Sequence, residues 1–465
     1  MIDCESAVHG PEVASADGLA TVVQLGRADD LQDRADVAKL FSLVAQDDVA
    51  ALRAQALTIL GGRSSDASLA VALQSLAYAA WDQGHVSDAL DLIGAAVSRS
   101  DRMSCLSHQP RLFWASMLTS LGNFEHAEQV IGDCRVQIER AGGTTWATAP
   151  FVYASRLDLA RGRADDASKE AQAGLAVAER NGTRQFVPAL LAVLASTALC
   201  RGDLGEASRL LQDCRRALPS LADGTMGHVG YRWVGARVAE ARIGPARAVE
   251  ILSDVYDDSR EQHRLLVEDA AAPGWMTRTA LAVGERDRAK ALSIHVLRLS
   301  AGNRTVVPLA AAAIQVCGLV HRDAAALRRA STMHLHPLAR ASAVEDLALV
   351  LAAGGNVVEA RDSFETCIAA YTDAGADHDA ARAQDALSLL GTRRRIDRSV
   401  SGWASLTPSE IRVADAVASG LTNAAAGERM FLSRHTVDFH LRQIFRKLGI
   451  HTRVELTRYV LSGDR

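Results

Sequence analysis

The side chains best suited to chemistry lie near the C-terminus, at Arg434, His435, Asp438, Phe439, Arg442, Gln443, Arg446 and Lys447. They interleave with Val437, Leu441, Ile444, Phe445 and Leu448, which recur at i, i+4, i+7, i+8 and i+11. On a helix over roughly 433–448 the apolar set faces inward and the polar set covers the other faces. A helix of this kind packs on its own domain while offering cations to a polyanion such as a nucleic acid. The plainer reading is a small helical bundle with solvated arginines.

The elements that must position this helix are marked by their caps. Thr407-Pro408-Ser409-Glu410 is a capping box with proline at the first helical position. Gly420 ends that helix, and Thr422 opens a short second one. Ser433 starts the third after a tight connection at Phe431-Leu432, and Gly449 stops it. Thr452-Arg453-Val454-Glu455 is a second capping box and opens a fourth helix. A helix, a short turn and a longer basic helix make the outline of a helix-turn-helix.

Several blocks in this order resemble the LuxR-type DNA-binding domain. They are Leu406-Thr407-x-x-Glu410, Gly420-Leu421-Thr422-Asn423, Leu432-Ser433-x-x-Thr436-Val437-x-x-His440, Arg446-Lys447-Leu448-Gly449-Ile450 and Arg453-Val454-Glu455-Leu456. The resemblance covers residues 406–461. It implies that the third helix enters the major groove of double-stranded promoter DNA, with the positions two, three and six after Thr436 facing the bases. Those are Asp438, Phe439 and Arg442. Arg442 suits a bidentate contact to guanine, and Phe439 suits a thymine methyl. Arg434, His435, Thr436, Arg446 and Lys447 are the expected phosphate contacts. The resemblance also implies a homodimer on two half-sites, with Val454, Leu456, Val460 and Leu461 as dimer candidates. The alternative for these four is that they close the domain's own core.

Two departures stand out. Asp438 occupies a position where many relatives carry a cation, so it must accept from a cytosine amine, pair with a neighbouring arginine, or repel wrong sites. The short helix reads Asn423-Ala424-Ala425-Ala426-Gly427-Glu428, smaller than the usual polar residue followed by Ile-Ala. These departures give some weight to an alternative function, a protein–protein adaptor whose head no longer binds DNA.

Charge divides along the chain. Residues 393–465 hold 13 Lys+Arg against 7 Asp+Glu, a balance of +6, while the other 392 residues stand at −10. An acidic body joined to a cationic head fits a regulator whose body stays off DNA. Arg393-Arg394-Arg395 reads either as a solvated linker or as extra phosphate contacts. The N-terminus has no secretion signal, and the longest apolar stretches are too short to span a bilayer. The seven cysteines are isolated, with no C-x-x-C pair. A cytoplasmic protein with reduced thiols and no membrane contact is expected.

The long N-terminal body carries a repeated phrase, a turn residue followed five positions later by alanine. It appears as Gly84…Ala89, Gly122…Ala127, Gly162…Ala167, Gly202…Ala207, Ile243…Ala248, Gly284…Ala289, a degenerate Val320…Ala325, and Gly355…Ala360. A period near 40 signals helical hairpins, similar to a tetratricopeptide-type superhelix with long repeats. Such arrays bind a peptide, a protein or a small molecule on their concave face. Trp81, Phe113, Trp114, Trp146, Phe151, Tyr153, Phe186, Tyr231 and Trp233 are either anchors for that effector or hairpin core.

Other chemistry is missing from the pattern. None of the four lysines lies in a phosphate-binding G-x-x-x-x-G-K-[ST] phrase, and Gly61-Gly62-Arg63-Ser64-Ser65 lacks the lysine. No receiver sheet, autoinducer domain or catalytic triad is legible. His334 and His336 are the only close histidine pair, and on a helix they would face apart.

The fold expected is therefore all-α, a tetratricopeptide-like superhelix followed by a four-helix LuxR-type domain. Residues 1–30 are expected to be disordered, 31–391 to form the repeat domain, 392–404 a basic linker and 405–465 the DNA-binding head. The expected function is sequence-specific transcriptional regulation, controlled by an effector on the repeat domain, with RNA polymerase a further partner. No cofactor, metal or catalytic residue is expected.

Overall fold

A computed structural model describes residues 31–100, 108–142, 146–218, 226–393, 408–430 and 434–461, with Trp403 and Leu406. The expected disordered segment 1–30 and the linker residues 394–402 lie outside these. Every regular element among the described residues is helical, so the all-α expectation holds. Contacts divide the chain into two units after Gln384.

The first unit opens with α1 (Leu31–Ala45) and α2 (Val49–Gly61), joined at Asp47. Val37 and Leu40 of α1 pack against Leu52, Ala56 and Ile59 of α2. Eight hairpins follow. The first four are α3 (Asp66–Asp82) with α4 (Val86–Ser100), α5 (His108–Ser120) with α6 (Phe124–Arg140), α7 (Ala149–Ala160) with α8 (Ala164–Asn181), and α9 (Val187–Cys200) with α10 (Leu204–Ala217). The fifth is α11 (Met226–Arg242) with a second arm broken into α12 (Pro245–Ile251) and α13 (Ser253–Asp257). An extra helix, α14 (Ser259–Glu268), intervenes. The series resumes with α15 (Ala272–Ala282) and α16 (Arg286–Gly302), α17 (Val307–His321) and α18 (Ala324–Met333), α19 (Pro337–Ala353) and α20 (Val357–Asp373). The last array helix, α21 (Asp377–Arg393), takes in the first two residues of the expected linker.

The repeated phrase works as its chemistry suggests. Gly84 and Gly162 take φ +79 and +72, which stops the first arm. Ala89, Ala127, Ala167, Ala207, Ala248, Ala289 and Ala360 are each fully buried where the two arms cross. A larger side chain there would overpack the crossing at about 1–3 kcal/mol.

The degenerate copy has a different phase from the one expected. Ala325 is exposed. The left-handed residue is Arg322 (φ +55), and five positions on it is Leu327 that is fully buried. Leu327 fills the alanine's place because the facing residue is Gly318. A Cβ on Gly318 would come within 2.8 Å of the Leu327 Cγ. The volume has moved from one arm to the other.

The array also curls back on itself. The turns of hairpins 1 to 3 rest on the connections after hairpins 6 to 8. Asn303 donates to the Gly84 carbonyl (2.8 Å) and accepts from the Val86 N–H (3.1 Å). A Cβ on Gly122 would meet Leu335, and one on Gly162 would meet Ala374. The added helix α14 fills the inside of this curve. Its Arg260 and Arg264 both pair with Asp47 and Asp82, and Arg264 also reaches Glu261. Burial beside this cluster pushes the Tyr78 hydroxyl up to about 12.

Of the aromatic candidates, Trp81, Trp146, Phe186 and Trp233 are buried core. Phe113, Trp114, Phe151, Tyr153 and Tyr231 are half-buried, and none is exposed. His334 and His336 do not converge: His334 Nε2 donates to Gln315 Oε1 (2.8 Å), and His336 Nε2 donates to the Thr119 carbonyl (3.0 Å).

Candidate nucleic-acid interface

Four helices build the C-terminal head: α22 (Pro408–Ala418), α23 (Asn423–Met430), α24 (Arg434–Leu448) and α25 (Arg453–Leu461). The cap at Thr422 forms, with its Oγ1 accepting from the Ala425 N–H at 3.2 Å. Thr452 likewise accepts from Glu455 N–H (3.2 Å), and Glu455 reaches back to the His451 N–H (2.8 Å). The cap expected at Thr407 and the start at Ser433 fall outside the described residues.

A single core closes this head. Val437, Leu441 and Ile444 of α24 bury against Val413, Ala414 and Val417 of α22, Ala426 of α23, and Leu456 and Val460 of α25. Phe445 and Leu448 pack at its margin. Ala426 and Gly427, read from sequence as a weak spot, are both buried where α23 meets α24. Small residues here let the two helices approach closely.

With its apolar side committed, α24 offers the opposite side outward. Arg434 and Arg442 are exposed, and Phe439 is 54% exposed, an unusual setting for a phenyl ring. Thr436 and Asp438 are half-buried. The structure thus brings Arg434, Asp438, Phe439 and Arg442 to one side of α24, two turns long. The side chains of His435 and Arg446 lie outside the described residues.

Three expectations are corrected here. Lys447 is not directed outward: its Nζ donates to Glu410 Oε2 at 2.5 Å, and the two side chains are only 13% and 6% exposed. The ammonium is drawn inward because Glu410, fixed on α22, would otherwise be a buried carboxylate without that charge beside it. Leu456 and Val460 are core rather than dimer contacts, which leaves Val454 (70% exposed) and Leu461 (76% exposed) as the outward pair on α25. Asp438 pairs within the head with an asparagine and not with the arginine considered, since Asn423 Nδ2 donates to its Oδ1.

That last contact belongs to a network that the sequence did not suggest. Arg453, at the start of α25, donates to Asn423 Oδ1 (3.0 Å), to the Val417 carbonyl (3.1 Å) and to the Leu421 carbonyl. One guanidinium thus ties the α22–α23 turn to α25, and Asn423 carries the tie on to α24. The Val417 carbonyl, in the last turn of α22, also accepts from the Gly420 N–H (3.1 Å), and Leu421 lies in the turn that follows, so a multi-donor cation suits this cluster of acceptors. Both Asn423 and Arg453 sit in the matched blocks, but their spacing alone says nothing of their pairing. Burial lowers the pKa of His440, on the inner flank of α24.

Residues 404–460 match the model of the family described as bacterial regulatory proteins, luxR family. They form a LuxR-type helix-turn-helix domain. A protein of Mycobacterium tuberculosis (strain ATCC 25618 / H37Rv), named as an HTH-type transcriptional regulator, is 34% identical over 103 residues. That match takes in 20% of this chain and 12% of the mycobacterial protein, so the chain spans about an eighth of that relative's length. A nitrate/nitrite response regulator protein homolog of Haemophilus influenzae is 38% identical over 61 residues, 13% of this chain and 29% of that one. Among solved structures, the tetratricopeptide domain of P58(IPK) covers 79% of this chain and all of its own at 12% identity, with a TM-score of 0.21. The repeat array is therefore described by its own hairpins, and the LuxR-type domain by its matched residues.

Proposed function

We propose that the chain is a sequence-specific DNA-binding transcriptional regulator, with α24 of its LuxR-type domain in the major groove. The carrying observation is the division of α24, whose Val437, Leu441 and Ile444 are buried while Arg434, Phe439 and Arg442 stand outward. Arg442 reads a guanine edge and Phe439 a thymine methyl. Arg434, His435, Thr436 and Arg446 hold phosphates. Lys447 acts from inside, through Glu410. Asp438 shapes the helix-turn-helix through Asn423 and contributes to specificity by repelling wrong sites. Val454 and Leu461 are the surfaces on which two heads meet on paired half-sites.

The repeat array is the input domain, answering an effector and controlling the head's access to promoter DNA. This reading rests on the array and the head forming separate compact units. Removing residues 1–392 tests it. A head that drives transcription just as the full chain does would end the gating idea.

A mobility shift of the full chain at two salt concentrations tests DNA binding itself. Counterion release makes affinity fall steeply as salt rises. An adaptor without DNA binding leaves duplexes unshifted at both.

A further inference from the structure

The curled array holds a partly open cavity of about 100 Å³. First arms of hairpins 2 to 5 supply most of its wall, and the start of α19 closes it. Its apolar side includes Val193 and Trp233. Its polar side includes Ser196, Asp269, Arg237 and His336.

These polar groups are unevenly satisfied. Both oxygens of Asp269 are engaged, one by Trp233 Nε1 (2.9 Å) and the other by the Ala271 N–H (2.9 Å). Arg237 donates through Nη2 to Asp379 (3.1 Å), and its Nε and Nη1 have no hydrogen-bond partner among the described residues. His336 is only 7% exposed, and its Nε2 proton is given to the Thr119 carbonyl. Its Nδ1 is then a lone-pair acceptor, buried and without a partner. The wall therefore asks for two things at once, an acceptor for a guanidinium and a donor for an imidazole nitrogen. A buried acceptor left unmet is costly, which favours a molecule able to meet it.

We propose that this cavity binds a small hydroxylated organic anion, with its carboxylate on Arg237, its hydroxyl donating to His336 Nδ1 and its carbon skeleton against Val193 and Trp233. The size limits the molecule to no more than about six heavy atoms, since a cavity of about 150 Å³ holds benzene. The site deepens the reading of the array as an input domain and rests on it for its regulatory meaning. Arg237 gives that meaning a route, because its partner Asp379 lies on α21, the last helix of the array.

The test is calorimetric titration of the full chain with three probes that share a three-carbon skeleton. Lactate has the carboxylate and the hydroxyl, propionate lacks the hydroxyl, and propane-1,2-diol lacks the carboxylate. Saturable binding of one lactate, at least tenfold tighter than either other probe, is expected. Ser196→Leu fills the cavity and should abolish it with the helical circular dichroism unchanged. The neutralised pair Arg237→Gln with Asp379→Asn leaves no buried charge unpaired and should remove the preference for lactate over the diol. Equal binding of the three probes, binding that survives Ser196→Leu, or no binding of any of them overturns the proposal. A mobility shift on the same preparation separates the outcomes. Retained DNA binding with no lactate binding removes this site alone, while lactate binding without DNA binding removes the regulator reading alone.

Discussion

Arg442 and Lys447 are both cations on α24, five residues apart, yet they have opposite fates. Arg442 is exposed and Lys447 is half-buried against Glu410. Their substitutions should therefore differ in kind. Arg442→Ala is expected to leave folding intact and to weaken binding by about 1–3 kcal/mol at sites with its preferred base, as a bidentate contact does. Fluorescence anisotropy over single-base variants of a bound duplex measures this. Lys447→Ala should instead destabilise the head by about 3 kcal/mol, because Glu410 stays buried without the ammonium beside it. Chemical denaturation followed at Trp403 reports it, and a full-strength head in that variant contradicts the ion-pair account. The inward turn of Lys447 was not legible in the sequence. Helical periodicity places it beside the apolar stripe, but only the position of Glu410 on another helix decides where its ammonium goes. Arg453 shows the same limit. Its block marks it as part of the domain, while its three acceptors come from a turn some thirty residues away.

At the scale of elements, the hairpins were legible because the physics at each crossing is local. A left-handed turn and a buried alanine recur at nearly constant separation, and both can be read without knowing what they pack against. Arg322 tests the physical account. A non-glycine residue at φ +55 is strained, so Arg322→Gly should stabilise the array by up to about 1 kcal/mol. Ala167→Leu should cost about 1–3 kcal/mol, since α7, the arm that faces Ala167, carries no glycine of the kind that admits Leu327. Thermal unfolding of each variant gives the sign. Two features escaped the repeat pattern. The slip at Arg322 did so because the alanine's volume passes to a partner helix. Helix α14 did so because its caps lie within a repeat of ordinary length, and its role depends on Asp47 and Asp82, some two hundred residues distant.

The whole array responds to acid through its buried histidines. Burial holds His334 down at about 3, with His336 and Arg340 adding to the effect, and lowers His336 and His263 as well. These groups are neutral when folded and take a proton more readily once unfolded. Their contribution to stability is therefore complete above about pH 6.5 and is lost progressively as pH falls below it. His334 alone accounts for up to about 1.4 kcal/mol per pH unit. The thermal midpoint of the array should drop between pH 7 and pH 5, and His334→Gln should flatten that slope. An unchanged slope would show that the other buried histidines, His336 and His263, carry it instead.

The most direct test of the account is the base preference carried by α24. Genomic fragments selected by the purified full chain supply the duplexes, and anisotropy compares the wild type with Arg442→Ala on each of them at low and moderate salt. The account predicts steep weakening with salt for both proteins and a loss for the variant that is confined to one base position. Equal binding of both proteins to every fragment, or no binding of the wild type even in dilute buffer, would contradict it.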